Sequence, residues 1–479
     1  MKGANKQLVK GSFSMTQVHE FRDVSDIYKR GLCTQCGFCQ AVCPVHAITM
    51  FRLSNGDYRP EIDRSRCMKA CSLCYEICPG HDVDYDALQR EIFVDVYNKK
   101  KEPWVGTYHE IYLARSNNQN LPQKVSSGGL VTTILLYLLN ERLIDGAIVA
   151  GMKEREPLEP NVFIARTPEE IISAAGSKYF PIPMGIGMKK VVEHAGVQDK
   201  KYAFVGLPCH INGLRKVCSK MPSLKTNIYL TIGLFCGFSV NALATRFMLK
   251  RLGINDLDKV ASVSYRTGNY PGYFEVATKN GRVKRMTKHE FSSIVNSLFV
   301  STRCLTCNDF SAELADISAG DSWNPEFPSI ILARTAQGAN TLTKLLDAEV
   351  IKARQFSLQE FRIAKESELR YKKETVGARI KILKFLGYDA PRYTNHYSSP
   401  SLLDYLRVIP IIVNTRLTRS SITRKILSHL PERLLKFYTI KITYWPVVRF
   451  TPGWVKVQDK VRKVYKTTGR FFRLWGLMF

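Results

Sequence analysis

The chain has 479 residues, 45% of them hydrophobic and 23% charged. That length exceeds one ordinary core and implies two or three domains, and the composition excludes wholesale disorder. Lys and Arg number 70 against 42 Asp and Glu, and the resulting net charge of +28 predicts attraction to an acidic substrate, protein, nucleic acid or membrane face without choosing among them.

With no run of 18 or more apolar residues and no charged-then-apolar leader, a cytoplasmic location is expected. Residues 1–24 read as a polar N-terminal extension. Residues 25–97 then carry eight cysteines in two runs. Cys33, Cys36, Cys39 and Cys43, followed by Pro44, match C-x2-C-x2-C-x3-C-P, in which three thiolates clasp one cubane and the fourth ligates another. Cys67, Cys71, Cys74 and Cys78, followed by Pro79, repeat the run with one extra residue in the first gap. The spacing predicts a bacterial-type ferredoxin module of α+β fold, with Cys33, Cys36, Cys39 and Cys78 on one 4Fe-4S cluster and Cys67, Cys71, Cys74 and Cys43 on the other. Zinc is the rival ligand, but no histidine pair lies nearby. Ala47 to Ile62, with Asn55-Gly56, reads as a hairpin between the runs.

A charged linker, Asn98 to Pro103, precedes a second domain at 104–375 in which helical and strand patterns alternate, the signature of an α/β fold. Leu130, Ile134, Leu135 and Leu138 recur at helical spacing, and Gly146 to Ala150 reads as a buried strand. Just before that helix, Ser126-Ser127-Gly128-Gly129 could present backbone amides to a cofactor pyrophosphate, or be a plain N-cap. Gly176, Ser177 and Lys178 add hydroxyl and cation, although a lone lysine is usually solvated. Lys201 to Val205 and Ile228 to Phe235 read as strands ending at Cys209 and Cys236, where open α/β sheets put their ligands. With Cys304 and Cys307 they make four thiolates, enough for a cubane or a structural zinc. Cys218 is the thirteenth cysteine and fits neither set; the usage as a whole indicates a reducing compartment.

Residues 376–479 are expected to form a basic C-terminal appendage. From His396 onward, 16 Lys and Arg face 3 Asp and Glu, with Trp445, Trp454, Phe471, Phe472 and Trp475 interleaved. A peripheral membrane contact or a solvated helical face would both account for it. A nucleic-acid role has only charge behind it, and no nucleic-acid-binding motif is present.

In order, SSGGLVTTILLYLL, AGSKYFPIP, FVGLPCHINGLR, GLFCGF and CLTCNDFSAELADISAGDSW resemble the family of coenzyme F420 hydrogenase/dehydrogenase beta subunits, over Val125 to Trp323. The resemblance implies FAD held partly by Ser126 to Gly129 and Gly176 to Lys178, and a third 4Fe-4S cluster on Cys209, Cys236, Cys304 and Cys307. It further implies an oxidoreductase passing electrons between coenzyme F420, the clusters and a partner protein. The alternatives are a ferredoxin-dependent flavoprotein reductase of another organic substrate, or an electron-carrier protein without catalysis. No catalytic acid or base is identifiable from the sequence.

Overall fold

The computed structural model describes residues 22–94, 101–122, 125–394 and 397–444. Most of the N-terminal extension, linker residues Asn98 to Lys100 and the five C-terminal aromatic residues named above lie outside these.

The N-terminal module is built twice over. Helix α1 (Val24–Lys29) is capped by Asp23, whose side chain accepts from the Ser25 amide. Strands β1 (Ile48–Arg52) and β2 (Tyr58–Ile62) pair antiparallel around a turn at Gly56, where φ is +86°. The short helices Phe38–Ala41 and Leu73–Glu76 occupy equivalent places and carry the third cysteine of each run, Cys39 and Cys74. Ile48, Met50, Tyr58 and Val24 bury their apolar faces against these cysteines.

The second unit is an eight-stranded sheet. Its strands are β3 (Glu110–Ser116), β4 (Gly146–Met152), β5 (Pro160–Ala165), β6 (Tyr202–Gly206), β7 (Ile228–Leu234), β8 (Ile317–Asp321), β9 (Ser329–Ala333) and β10 (Ile351–Gln355), in the spatial order β10-β3-β9-β8-β7-β6-β4-β5. The central four, β4, β6, β7 and β8, run parallel, and antiparallel strands close both edges. The expected α/β alternation is therefore present as a mixed sheet. Side-chain alternation along β4 sends Ile148 to one face and Ala147 and Val149 to the other. Helix α2 (Leu130–Asn140) covers the latter face with Leu130, Ile134, Leu135 and Leu138. Helix α3 (Pro208–Lys220) covers the former with Ile211, Leu214 and Val217.

Close backbone approach joins the two units. Phe38 is fully buried between Gly185 and Gly213, and a Cβ on either glycine would fall within 2.7 Å of it. The Gly185 amide donates to the Cys36 carbonyl at 2.7 Å. The cysteine-bearing module thus sits over the carboxyl ends of the parallel strands.

Residues 376 onward depart from the expected separate appendage. Arg392-Tyr393 pairs with Asp82-Val83 of the N-terminal module. Helix α4 (Leu402–Leu417) packs Val408, Ile411 and Ile412 against Leu305, Tyr371 and Leu383. Composition concealed this because charge averaged over the whole segment does not show that one side of α4 is an aliphatic face that completes the core. Helices α5 (Ser421–His429) and α6 (Glu432–Lys436) follow. Among the described residues no helix is long and apolar enough to cross a membrane.

Candidate redox site

Electrostatic interaction sorts twelve thiols into three neighbourhoods. Cys39 and Cys78 each interact with Cys33 and Cys36, while Cys67 and Cys74 each interact with Cys43 and Cys71. Cys78 of the second run thus neighbours Cys33, Cys36 and Cys39, and Cys43 of the first neighbours Cys67 and Cys74. Cys209 interacts with Cys236, Cys304 and Cys307. The sets also adjoin one another, through Cys39 with Cys74 and through Cys209 with Cys36. Their sequence in space is the Cys67 set, the Cys33 set, then the Cys209 set.

Donor chemistry and backbone both fit iron-sulfur clusters. Amides of Gln35, Ala47, Gly80 and Ser239 point at the sulfurs of Cys33, Cys43, Cys78 and Cys304 at 3.2 to 3.4 Å. Such N–H···S contacts help set cluster potential. Burial pushes the Cys33 and Cys236 thiols up to about 12, so they need a strong positive centre to become thiolates. Among the described residues, no three His, Cys, Asp or Glu side chains close on one point as a single metal ion requires. A cubane instead takes each thiolate on a separate iron, a wider arrangement.

Two buried cations flank the Cys209 set. Lys372 is 1% exposed; burial works to lower its ammonium, but the thiols of Cys307, Cys236 and Cys304 hold it above its ordinary value. Arg303 lies between two thiol sets. Its guanidinium donates to the carbonyls of Leu32, Gly80 and Pro79 in the ferredoxin module, and to the hydroxyls of Thr306 and Tyr393. Both cations escaped the sequence reading. Arg303 immediately precedes Cys304, whereas Lys372 sits in a charge run indistinguishable by pattern from a solvated face.

The two glycine-containing motifs converge. Ser126 Oγ lies 2.8 Å from Ser177 Oγ and accepts from the Ser177 amide at 3.1 Å. Gly128 and Gly129 adopt φ of +70° and +72°, and a Cβ on Gly128 would come within 2.5 Å of Pro328. Gly176 is also left-handed, at φ +91°. Lys178 directs its ammonium to the carbonyls of Ala174 and Ala175, just past the helix Pro168–Ser173. There it caps a helix end.

Around this turn the structure adds residues the sequence did not reveal. Ser127 hydrogen-bonds Asp321 at the end of β8, and Arg266 pairs with both carboxylate oxygens of Asp321 at 2.7 and 2.8 Å. Burial works to raise Asp321, but Arg266 and the Ser127 hydroxyl outweigh it and hold the carboxyl below its ordinary range. Arg266 lies 5.1 Å from the Tyr270 ring, and Trp323 stacks near His289. The buried Tyr270 hydroxyl faces the Arg266 guanidinium and the Trp323 backbone, so polar groups converge at this place. Burial, then the charges of Lys288 and Arg266, lower His289 and favour its neutral form.

One helix, Glu366–Lys373, connects the two regions. Its N-cap residue Lys365 lies 5.4 Å from the Trp323 ring, and Lys372 near its end faces the Cys209 set. Seven residues of helix span about 10 Å. At the sheet, Phe235 packs on Gly320, joining the residue before Cys236 to the residue before Asp321.

Comparison with known proteins gives a consistent picture. Residues 111–186 match the family described as coenzyme F420 hydrogenase/dehydrogenase, beta subunit N-term, and residues 199–359 match its C terminus. Residues 32–81 match the 4Fe-4S dicluster domain. The beta subunit of coenzyme F420 hydrogenase from Methanothermobacter thermautotrophicus is 30% identical over 255 residues, 52% of this chain and 85% of that one. The coenzyme F420-dependent sulfite reductase of Methanocaldococcus jannaschii is 31% identical over 369 residues, 72% of this chain, which spans 52% of the reductase. The coenzyme F420 hydrogenase beta subunit of Methanococcus voltae is 28% identical over 250 residues, 52% of this chain and 85% of that one.

Proposed function

Because the chain belongs to the family of coenzyme F420 hydrogenase/dehydrogenase beta subunits, which are components of oxidoreductases, we propose that it transfers electrons between coenzyme F420 and a redox partner protein. In this reading FAD binds at the Ser126 to Gly129 turn with Gly176 and Ser177. Three 4Fe-4S clusters are held by the Cys33, Cys67 and Cys209 sets. The observation that carries it is the continuous series of three thiol neighbourhoods ending about one short helix from the turn.

FAD supplies the exchange of a hydride for single electrons, which iron-sulfur clusters alone do not perform. The protein's own residues position and balance charge. The left-handed turn at Gly128 and the Arg266 guanidinium beside it suit phosphate or an anionic ring edge. Lys372 and Arg303 offset the negative charge of four thiolates in a medium from which water is largely excluded. The basic C-terminal segment provides a docking contact, with a membrane or a partner.

Anaerobic protein mixed with reduced coenzyme F420 should show bleaching of flavin absorbance and then of the clusters, and should contain about twelve irons for three cubanes. Replacing Cys304 and Cys307 together by serine should remove about a third of that iron. Stoichiometric zinc in that third would overturn the assignment. The relative named a coenzyme F420-dependent sulfite reductase favours a second reading, a reductase that passes electrons from the coenzyme to another substrate. Reoxidation of the reduced protein by such a substrate with no partner protein present would select it.

A further inference from the structure

Among the described residues, 21 large apolar side chains are exposed, and 11 of them fall between Leu402 and Ile442. On α4, Leu402, Leu406, Ile409, Val413 and Leu417 recur at steps of three or four, so they form one stripe along the helix. The opposite side of α4 is already committed to the core through Val408, Ile411 and Ile412. Leu402 is 80% and Leu406 62% exposed, values that an aliphatic stripe on an isolated soluble helix does not ordinarily keep. Helix α5 repeats the arrangement with Ile422 and Ile426, 71% and 61% exposed.

Cations accompany these apolar residues. Arg416, Arg419, Lys425 and Arg433 are exposed in the same segment, and residues 397–444 hold 8 Lys and Arg against 2 Asp and Glu. Residues 445–479 add another 8 against 1, with three tryptophans, the residue type enriched at membrane interfaces. A protein-binding patch concentrates aromatic anchors and excludes charge from its centre. This face has aliphatic stripes interspersed with cations, a composition matched to headgroups and the acyl boundary beneath them.

We propose that the outer face of α4, α5 and α6 rests on an anionic lipid bilayer. This narrows the docking contact of the proposed function to one occupant. The apolar stripe would enter the interface while Lys425, Arg433 and their neighbours meet acidic headgroups. Held this way, α4 lies between the bilayer and the core containing Leu305, next to Cys304.

The test is flotation of the intact, cofactor-replete protein with vesicles of phosphatidylcholine alone or with about 30% phosphatidylglycerol, an anionic surface of the kind basic segments recognise. Binding should need the anionic lipid and weaken with salt. Lys425→Gln and Arg433→Gln should each lower partition about fivefold, in line with the usual contribution of a basic residue near headgroups. Leu402→Glu with Leu406→Glu should abolish it while iron content and circular dichroism stay unchanged. No binding to anionic vesicles, or equal binding to neutral ones, would overturn the proposal. Lipid-free self-association abolished by the same glutamates would assign the face to a second copy and overturn it too. None of these results bears on bleaching by reduced coenzyme, so the redox reading stands or falls separately.

Discussion

Arg303 donates from Nε to the carbonyl of Leu32 at 2.9 Å, so the residue before Cys304 is tied directly to the residue before Cys33. One guanidinium thereby spans two thiol sets that lie far apart in the chain. Its charge favours added negative charge on either side.

Arg303→Gln should therefore lower the reduction potential of the neighbouring clusters. A unit charge roughly 5–10 Å away at an effective dielectric of about 20 amounts to ~1.7–3.3 kcal/mol, or about 70–140 mV for one electron. Potentiometric titration followed by electron paramagnetic resonance reads this directly. Unchanged potentials with full iron content would reduce Arg303 to a structural tie.

Truncation after Pro391 tests the integration of the C-terminal segment. It removes Tyr393, which accepts from Arg303 at 2.8 Å, and the buried Val408, Ile411 and Ile412. Three such side chains contribute about 1.5–3 kcal/mol each. The shortened chain should lose the Cys209-set iron and unfold at markedly lower temperature. Retention of full iron would restore the picture of a dispensable appendage.

Asp321 and Arg266 give a prediction with a defined pH range. The Asp321 carboxyl is held below its ordinary 3.8, so its stabilising contribution is complete above that value and is lost only as pH falls through the lower folded value. Asp321→Asn leaves Arg266, 5% exposed, without its counter-ion. The cost should be about 3 kcal/mol, the low end for a broken buried pair because Asp321 is partly exposed. The gap between wild type and variant in urea unfolding should stay flat from about pH 5 to 9, well above the carboxyl's titration. A gap that closes near neutrality would point to a different titrating group.

The legible parts of this molecule were those with short-range rules. Cysteine spacing reported the two ferredoxin sets, and the Asn55-Gly56 turn and the Leu130 helix fell where local pattern put them. The third set was legible as four strand-end or loop cysteines, which spacing alone does not assign to a cubane or a zinc; the structure adds that those thiols meet in space. Arg266 and Lys372 were invisible because their roles arise from partners 55 or more residues away, Asp321 for one and the thiols of Cys236, Cys304 and Cys307 for the other. Charge composition misled for 376–444. Charge averaged over the segment hides that α4 is mostly aliphatic, with Arg407 and Arg416 its basic residues and Val408, Ile411 and Ile412 buried.

Gly128 offers the sharpest separation of flavin from iron. At φ +70°, alanine would carry roughly 1–2 kcal/mol of left-handed strain, and its Cβ would press within 2.5 Å of Pro328. Relief requires the turn to shift, moving the Ser127 hydroxyl from Asp321 and straining the bond from the Gly129 amide to the Ser126 carbonyl that closes the turn. The thiol sets do not depend on this turn: the Cys33 and Cys67 sets belong to the N-terminal module, and the Cys209 set is anchored by α3, β7 and the Arg303 network. Gly128→Ala should therefore lower flavin occupancy at least tenfold, the effect of about 1.4 kcal/mol on affinity, while iron content and the visible cluster absorbance remain as in wild type. Loss of both cofactors together would mean that the turn is part of the folding core. Full flavin retention would move the flavin site away from Ser126 to Gly129.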